Sequence, residues 1–195
     1  MKSIMASVSP HLCGKITSGK CKILVRKSAP KEVPFKAYIY CTRITDKKHC
    51  SDEFDIGIWK GNEHVIGEFI CDKVEEFHEW ELSPQGKFAE FEEERLEKFL
   101  TAACLSRDEV FLYRENLPYY KPLYGWHISD LKIYDSPREL DEFKTPPCDT
   151  PEKACATCKY RVVINTPDMY EVDCFVANGR RITRPPMSWM YVEEI

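Results

Sequence analysis

Residues 20–26, KCKILVR, alternate too regularly to be a loop, and a period of two fits only an extended strand. Cys21, Ile23 and Val25 fall on one face, which is expected to be buried, while Lys20, Lys22, Leu24 and Arg26 share the other. Residues 35–42, FKAYIYCT, repeat the pattern, with Phe35, Ala37, Ile39 and Cys41 on one face and Lys36, Tyr38, Tyr40 and Thr42 on the other. Two strands patterned alike require a sheet with one apolar face and one face of cations, aromatic rings and hydroxyls. No helical arrangement satisfies both stretches.

Other elements follow from local signals. Residues 3–8 read as a first strand. The helix after them is bounded by Ser9 as N-cap, Pro10 at the first helical position and Gly19 just past its end. Residues 64–74, apolar on both faces apart from Glu68, predict a central strand. Phe88 to Cys104 carries apolar residues at helical spacing, its Glu92–Glu94 run forming a solvated face. Ser106 and Glu109 form a capping box for a second short helix. Residues 125–135, GWHISDLKIYD, predict one strand with Leu131 and Ile133 inward; 136–143 predict a short capped helix and 184–195 a last strand begun by two prolines. Strands around one core with helices inserted between them define an α+β protein built on a small, strongly bent sheet or barrel.

A chain of 195 residues can bury roughly 70% of its unfolded surface. Its 43% hydrophobic content, with 12% aromatic residues, is that of a globular protein. No apolar run approaches the ~20 residues needed to span a bilayer, and the first residues lack a signal-peptide core, so a soluble, cytoplasmic protein with no membrane partner is expected. The net charge of −4 conceals an asymmetry: residues 1–48 hold eleven Lys or Arg against two acids, Glu32 and Asp46. A basic N-terminal part attracts anions such as a phosphate backbone.

The short helix, SGKCKILVRK, YIYCT, VIGEFICDKV, GWHISDLKIYDSPRELDEF and the closing RPPMSWMYVEE together resemble the ASCH domain, a branch of the PUA-like superfamily. The similarity is to a bacterial and phage subgroup with a Cys-containing insertion. It implies a PUA-like small mixed β-barrel with flanking and inserted helices: a core over 1–145, an insertion over 146–182 and a C-terminal strand over 183–195 that returns to the core. It also implies a cleft beside the second strand. Members are regarded as RNA-binding or nucleobase-pocket modules, and a few are hydrolases. One removes an acyl group from a modified cytidine with a Lys, Thr and Glu set. Cys21 and Leu24 stand where the Lys and Thr would, and Arg26 matches the family's Arg. The resemblance therefore points first to a binding module, with a nucleoside amidohydrolase or ribonuclease of the ASCH type as the alternative.

The residues expected to hold single-stranded RNA or a nucleotide-like ligand are Lys20, Lys22, Arg26, Tyr38 and Tyr40, since guanidinium forks suit phosphate and tyrosine rings stack on bases. Trp126 and His127 are expected to line the pocket wall, the alternative being a packed, satisfied pair. For an enzyme the candidates are Lys22 and Glu68, Glu68 being the strand carboxylate placed to meet the cations. A protein-interaction module in transcription or translation regulation is the remaining alternative. Five of the ten cysteines, Cys13, Cys21, Cys41, Cys71 and Cys104, sit singly in apolar patterns and read as reduced hydrophobes. Cys155 and Cys158, with Cys148 and Cys174, have spacing that suits a structural zinc, with free cysteines, a disulfide or redox chemistry as alternatives. No nucleophilic triad, Walker loop, dinucleotide fingerprint or EF-hand is present.

Overall fold

A computed structural model describes residues 1–43, 62–78, 89–118, 120–147, 161–166, 169–174 and 179–194. Its largest sheet contains β1 (Lys2–Val8), β3 (Phe35–Cys41), β4 (Val65–Cys71), β7 (Ser129–Arg138) and β11 (Trp189–Tyr191), in the order β11-β1-β3-β4-β7. β1 and β3 run parallel, so the chain must cross over between them. Helix α1 (Pro10–Thr17) and strand β2 (Ile23–Arg26) form that crossover. β2 belongs to a second sheet of order β2-β6-β5, with β5 at Val74–Phe77 and β6 at Leu123–His127. Two-stranded pairs complete the fold: β8 (Phe143–Lys144) with β12 (Glu193–Glu194), and β9 (Arg161–Thr166) with β10 (Met169–Cys174). The three α-helices among the described residues are α1, α2 (Ala89–Ala103) and α3 (Arg107–Arg114). No helix among those residues is long and apolar enough to cross a membrane.

The core is layered. Ile4, Ala6, Phe35, Ala37, Ile39 and Phe69 from the large sheet meet Cys13 and Ile16 of α1 and Leu24 and Trp126 of the small sheet. The opposite face of the small sheet packs Ile23, Val25, Leu123 and Phe77 on Leu96, Phe99 and Leu100 of α2. A third cluster covers the outer face of the large sheet, where Met5, Tyr38, Tyr40 and Val65 lie under Phe143, Ile182 and Val192. Cys13, Cys21, Cys41 and Cys71 are buried free thiols, as their apolar patterns lead one to expect.

These layers correct several expectations. β2 starts only at Ile23, and both its faces are covered, so no face of Lys20, Lys22 and Arg26 forms. The outer face of β3 is likewise covered, and Tyr38 and Tyr40 are interior residues. Residues 125–135 are two strands, not one: the chain leaves the small sheet at Ile128 and enters the large one at Ser129. Asp130, with φ of 47°, sits in the left-handed region beside this passage, a conformation Asp tolerates better than most residues. Leu131 is partly buried against the main core, but Ile133 is 39% exposed. The short helix expected over 136–143 is a 3-10 turn, Leu140–Glu142, because Ser136 to Arg138 extend β7.

The starts of α1 and α3 differ in a way that can be measured. At α3 the Glu109 amide donates to Ser106 Oγ at 3.2 Å, and the Ser106 amide donates to a Glu109 carboxylate oxygen at 2.7 Å. At α1 the Ser9 side chain makes no cap bond. Ser106→Ala should therefore lower stability by about 1 kcal/mol, whereas Ser9→Ala should leave the urea midpoint nearly unchanged. Equal losses in the two variants would contradict this reading.

Candidate functional site

Where β1, α1 and β2 converge with α3, the fold leaves a cleft of about 700 Å³. Ser7 comes from the end of β1, Ser9 precedes α1, Arg26 ends β2, and Ser28 follows it. Tyr113 of α3 and Ser188, just before β11, close the remaining sides. The Ser7 amide donates to the Ser188 carbonyl at 2.9 Å and its hydroxyl to the Pro186 carbonyl at 2.6 Å, which fixes the 186–188 segment against the end of β1. Trp189 Nε1 donates to Ser28 Oγ at 2.9 Å, joining that segment to β2 as well.

Arg26 dominates the electrostatics of this cleft. It follows Leu24 by two residues on the covered face of β2, so it is only 6% exposed. Its terminal nitrogens donate to the carbonyls of Ser7 at 2.7 Å and Val25 at 3.1 Å. The indole of Trp126 lies 5.9 Å from the guanidinium carbon. Among the described residues neither Arg26 Nε nor Trp126 Nε1 finds an acceptor, and no carboxylate pairs with Arg26. Burial lowers the Arg26 pKa and the adjacent Tyr113 hydroxyl works against that shift, yet an arginine retains its charge in proteins. A buried cation held by neutral groups, two carbonyls and the Tyr113 side chain, is expensive, costing several kcal/mol before compensation. Lys27 Nζ sits 5.1 Å over the Tyr113 ring and donates to the Glu115 carbonyl. Glu109, which also lines the cleft, is engaged by Ser106 and faces Lys15 and His11, so burial does not prevent its pKa from falling.

The other expected site residues lie elsewhere. Lys20 and Lys22 are exposed before β2, at the end opposite Arg26; four residues of extended chain separate Lys22 from Arg26 by about 13 Å. Lys22 is fixed through its backbone, its amide donating to the Ala102 carbonyl and its carbonyl accepting from Ile128. Glu68 does meet a cation, but it is Lys36, 3.4 Å from both carboxylate oxygens, and Tyr134 donates to one of them at 2.6 Å. Among the described residues no side-chain hydrogen bond or ion pair joins Lys22 to Glu68. Trp126 is fully buried between Phe35 and Trp189, so it offers no ring face. His127 lines a separate groove of about 400 Å³ with Glu75, Arg95 and Lys98, its Nε2 3.4 Å from the Glu75 carboxylate. Burial pushes the Cys21 thiol up to about 11, which leaves it protonated and unreactive at neutral pH.

Cys148, Cys155 and Cys158 lie outside the described residues, and Cys174 is described only as the end of β10. Among the described residues no group of three or more His, Cys, Asp or Glu side chains could hold a metal ion. Sequence reasoning missed Ser7, Ser9, Ser28, Tyr113 and Ser188. Only Ser9 carried a signal, as an N-cap; the others are brought together by tertiary structure.

Two sheets facing each other across one core, a crossover through α1 and β2, and a C-terminal strand paired with β1 constitute an ASCH-type α+β fold. No family model matches the chain, and no curated protein matches it. The solved structures supply the likeness. ASCH from Zymomonas mobilis shares 16% identity, the similarity covering 98% of this chain and 88% of that one with a TM-score of 0.53. A serine-to-alanine mutant of the same Zymomonas mobilis protein gives 16% identity, 98% and 89% coverage, and a TM-score of 0.53.

Proposed function

We propose that the chain binds single-stranded RNA or a nucleotide-like ligand in the cleft beside the end of β2. The observation that carries this reading is Arg26, a buried guanidinium with an unused donor and no carboxylate partner among the described residues, in a cavity large enough for a nucleotide. An incoming anion would compensate the buried charge, and Tyr113, 37% exposed, offers an aromatic surface beside it. The ASCH-type fold supports the same direction, because the resemblance associates it with RNA and nucleobase recognition. The amidohydrolase alternative has less support: Cys21 and Leu24 are core residues, and Lys22 stands before β2 of the small sheet while Glu68 belongs to β4 of the large one.

Titration of short RNA oligomers of several sequences at two salt concentrations, with matched DNA, tests the proposal. Arg26→Ala should weaken binding by about tenfold or more and flatten the salt slope by roughly 0.7, the share of a single phosphate. Tyr113→Ala, on an exposed helix surface, should weaken binding without altering that slope. Lys20→Ala and Lys22→Ala, outside the cleft, should change affinity only slightly. Absence of binding at low salt for every oligomer, together with no response to nucleotides, would leave a protein-interaction module as the better reading.

A further inference from the structure

We propose that the cleft seats a phosphomonoester, a terminal phosphate rather than an internal diester, between Arg26 and the N-terminus of α1. This rests on the nucleotide-binding reading above and names the group that the cleft recognises.

Two independent features of the same wall point to a dianion. The first is Arg26, more than nine-tenths buried, with an Nε–H that no atom of the described residues accepts. The second is the start of α1. Pro10 begins the helix, no acidic residue lies in its first turn, and the Ser9 hydroxyl makes no capping bond. A helix start carries about half a positive charge and amides without intrahelical acceptors. α3 answers the same need internally with Asp108, Glu109 and a complete capping box. α1 leaves it open, and opens it onto the cavity that Arg26 lines.

The positive charge of this wall, Arg26 together with the half-charge at the start of α1, exceeds the single negative charge that a diester brings. The Ser9 hydroxyl makes no capping bond, and Ser28 Oγ, which accepts from Trp189, keeps its own proton to donate. A diester presents two non-bridging oxygens and one negative charge, whereas a monoester presents three oxygens and up to two charges. Among the described residues Glu109 is the one carboxylate on the cleft lining, and its capping bonds together with Lys15 and His11 offset its charge. Lys27 adds a further cation at the rim. A nucleoside monophosphate or a phosphorylated RNA end supplies the matching group.

Calorimetric titration of the full chain with a nucleoside, its 5′- and 3′-monophosphates, inorganic phosphate and an oligomer with and without a terminal phosphate separates the outcomes. At least one monophosphate should bind about tenfold or more tightly than the parent nucleoside. Ser9→Ala should reduce that preference severalfold at unchanged melting temperature, and Arg26→Lys should abolish most of it while keeping the charge. If inorganic phosphate binds as tightly as the nucleotide, the phosphate seat stands and the nucleotide reading falls. If nucleoside and monophosphate bind equally, or the unphosphorylated oligomer binds as tightly as its phosphorylated counterpart, the phosphate seat falls and nucleotide binding stands. If nothing binds, both fall.

Discussion

Replacing Trp126 by alanine is expected to destabilise the protein by about 3–5 kcal/mol, out of the 5–15 kcal/mol typical of a domain. The side chain is completely buried, with Phe35 at 5.2 Å and Trp189 at 6.0 Å in edge-on contact. Its removal leaves a cavity where the two sheets meet, and the rigid strands on either side cannot close over it. With a urea dependence of about 2–3 kcal/mol/M, the unfolding midpoint should fall by roughly 1–2 M. Trp126→Phe should lose much less, because it keeps most of the ring and removes an indole N–H that has no acceptor among the described residues. A ligand-stacking role would produce the reverse pattern: weakened RNA binding in the alanine variant at an unchanged midpoint.

The second large effect is expected at Gly67. A Cβ there would lie 2.5 Å from the Lys132 carbonyl oxygen and 3.0 Å from Ile133 Cδ1. The first of these is backbone of the neighbouring strand, held by the β4–β7 ladder at a point where the register already shifts. Side chains can rotate away from such a contact, but a paired carbonyl cannot without breaking its own bonds. Gly67→Ala should therefore cost about 1–3 kcal/mol through overpacking. Gly125→Ala is the control. Its Cβ would meet Phe99 at 2.6 Å and Ile23 at 2.9 Å, both through side-chain atoms, so partial repacking is available. If urea unfolding finds Gly67→Ala as stable as the parent, the β4–β7 approach is looser than described.

Legibility in the sequence followed the range of the interactions involved. α1 and the capping box at Ser106 and Glu109 were readable because the residues that define them are neighbours in the chain. The α+β class and the buried set Phe35, Ala37, Ile39 and Cys41 were readable because alternation registers one apolar face directly. The fate of the opposite face was not readable. Tyr38 and Tyr40 look like solvent-side residues until Phe143, Ile182 and Val192, all far away in sequence, pack on them. Arg26 misled for a related reason. Its charge suggests exposure, and nothing local reveals that α2 covers one face of β2 while the large sheet covers the other. The cleft itself gathers serines from β1, the start of α1, the end of β2 and the segment before β11, and isolated serines carry no pattern.

The antiparallel pairing of Ile4, Met5 and Ala6 with Tyr191, Met190 and Trp189 has a consequence for biosynthesis. β1 and its parallel partner β3 emerge early from the ribosome, but the strand that satisfies the other edge of β1 is made well over a hundred residues later. At about 5–20 residues per second the interval is on the order of ten seconds or more. Throughout that time an apolar strand presents unpaired amides and carbonyls to any other extended chain nearby. Nascent molecules should thus be most vulnerable to intermolecular strand capture late in translation, and a ribosome stalled before residue 189 should display a chaperone-accessible edge that the finished protein conceals.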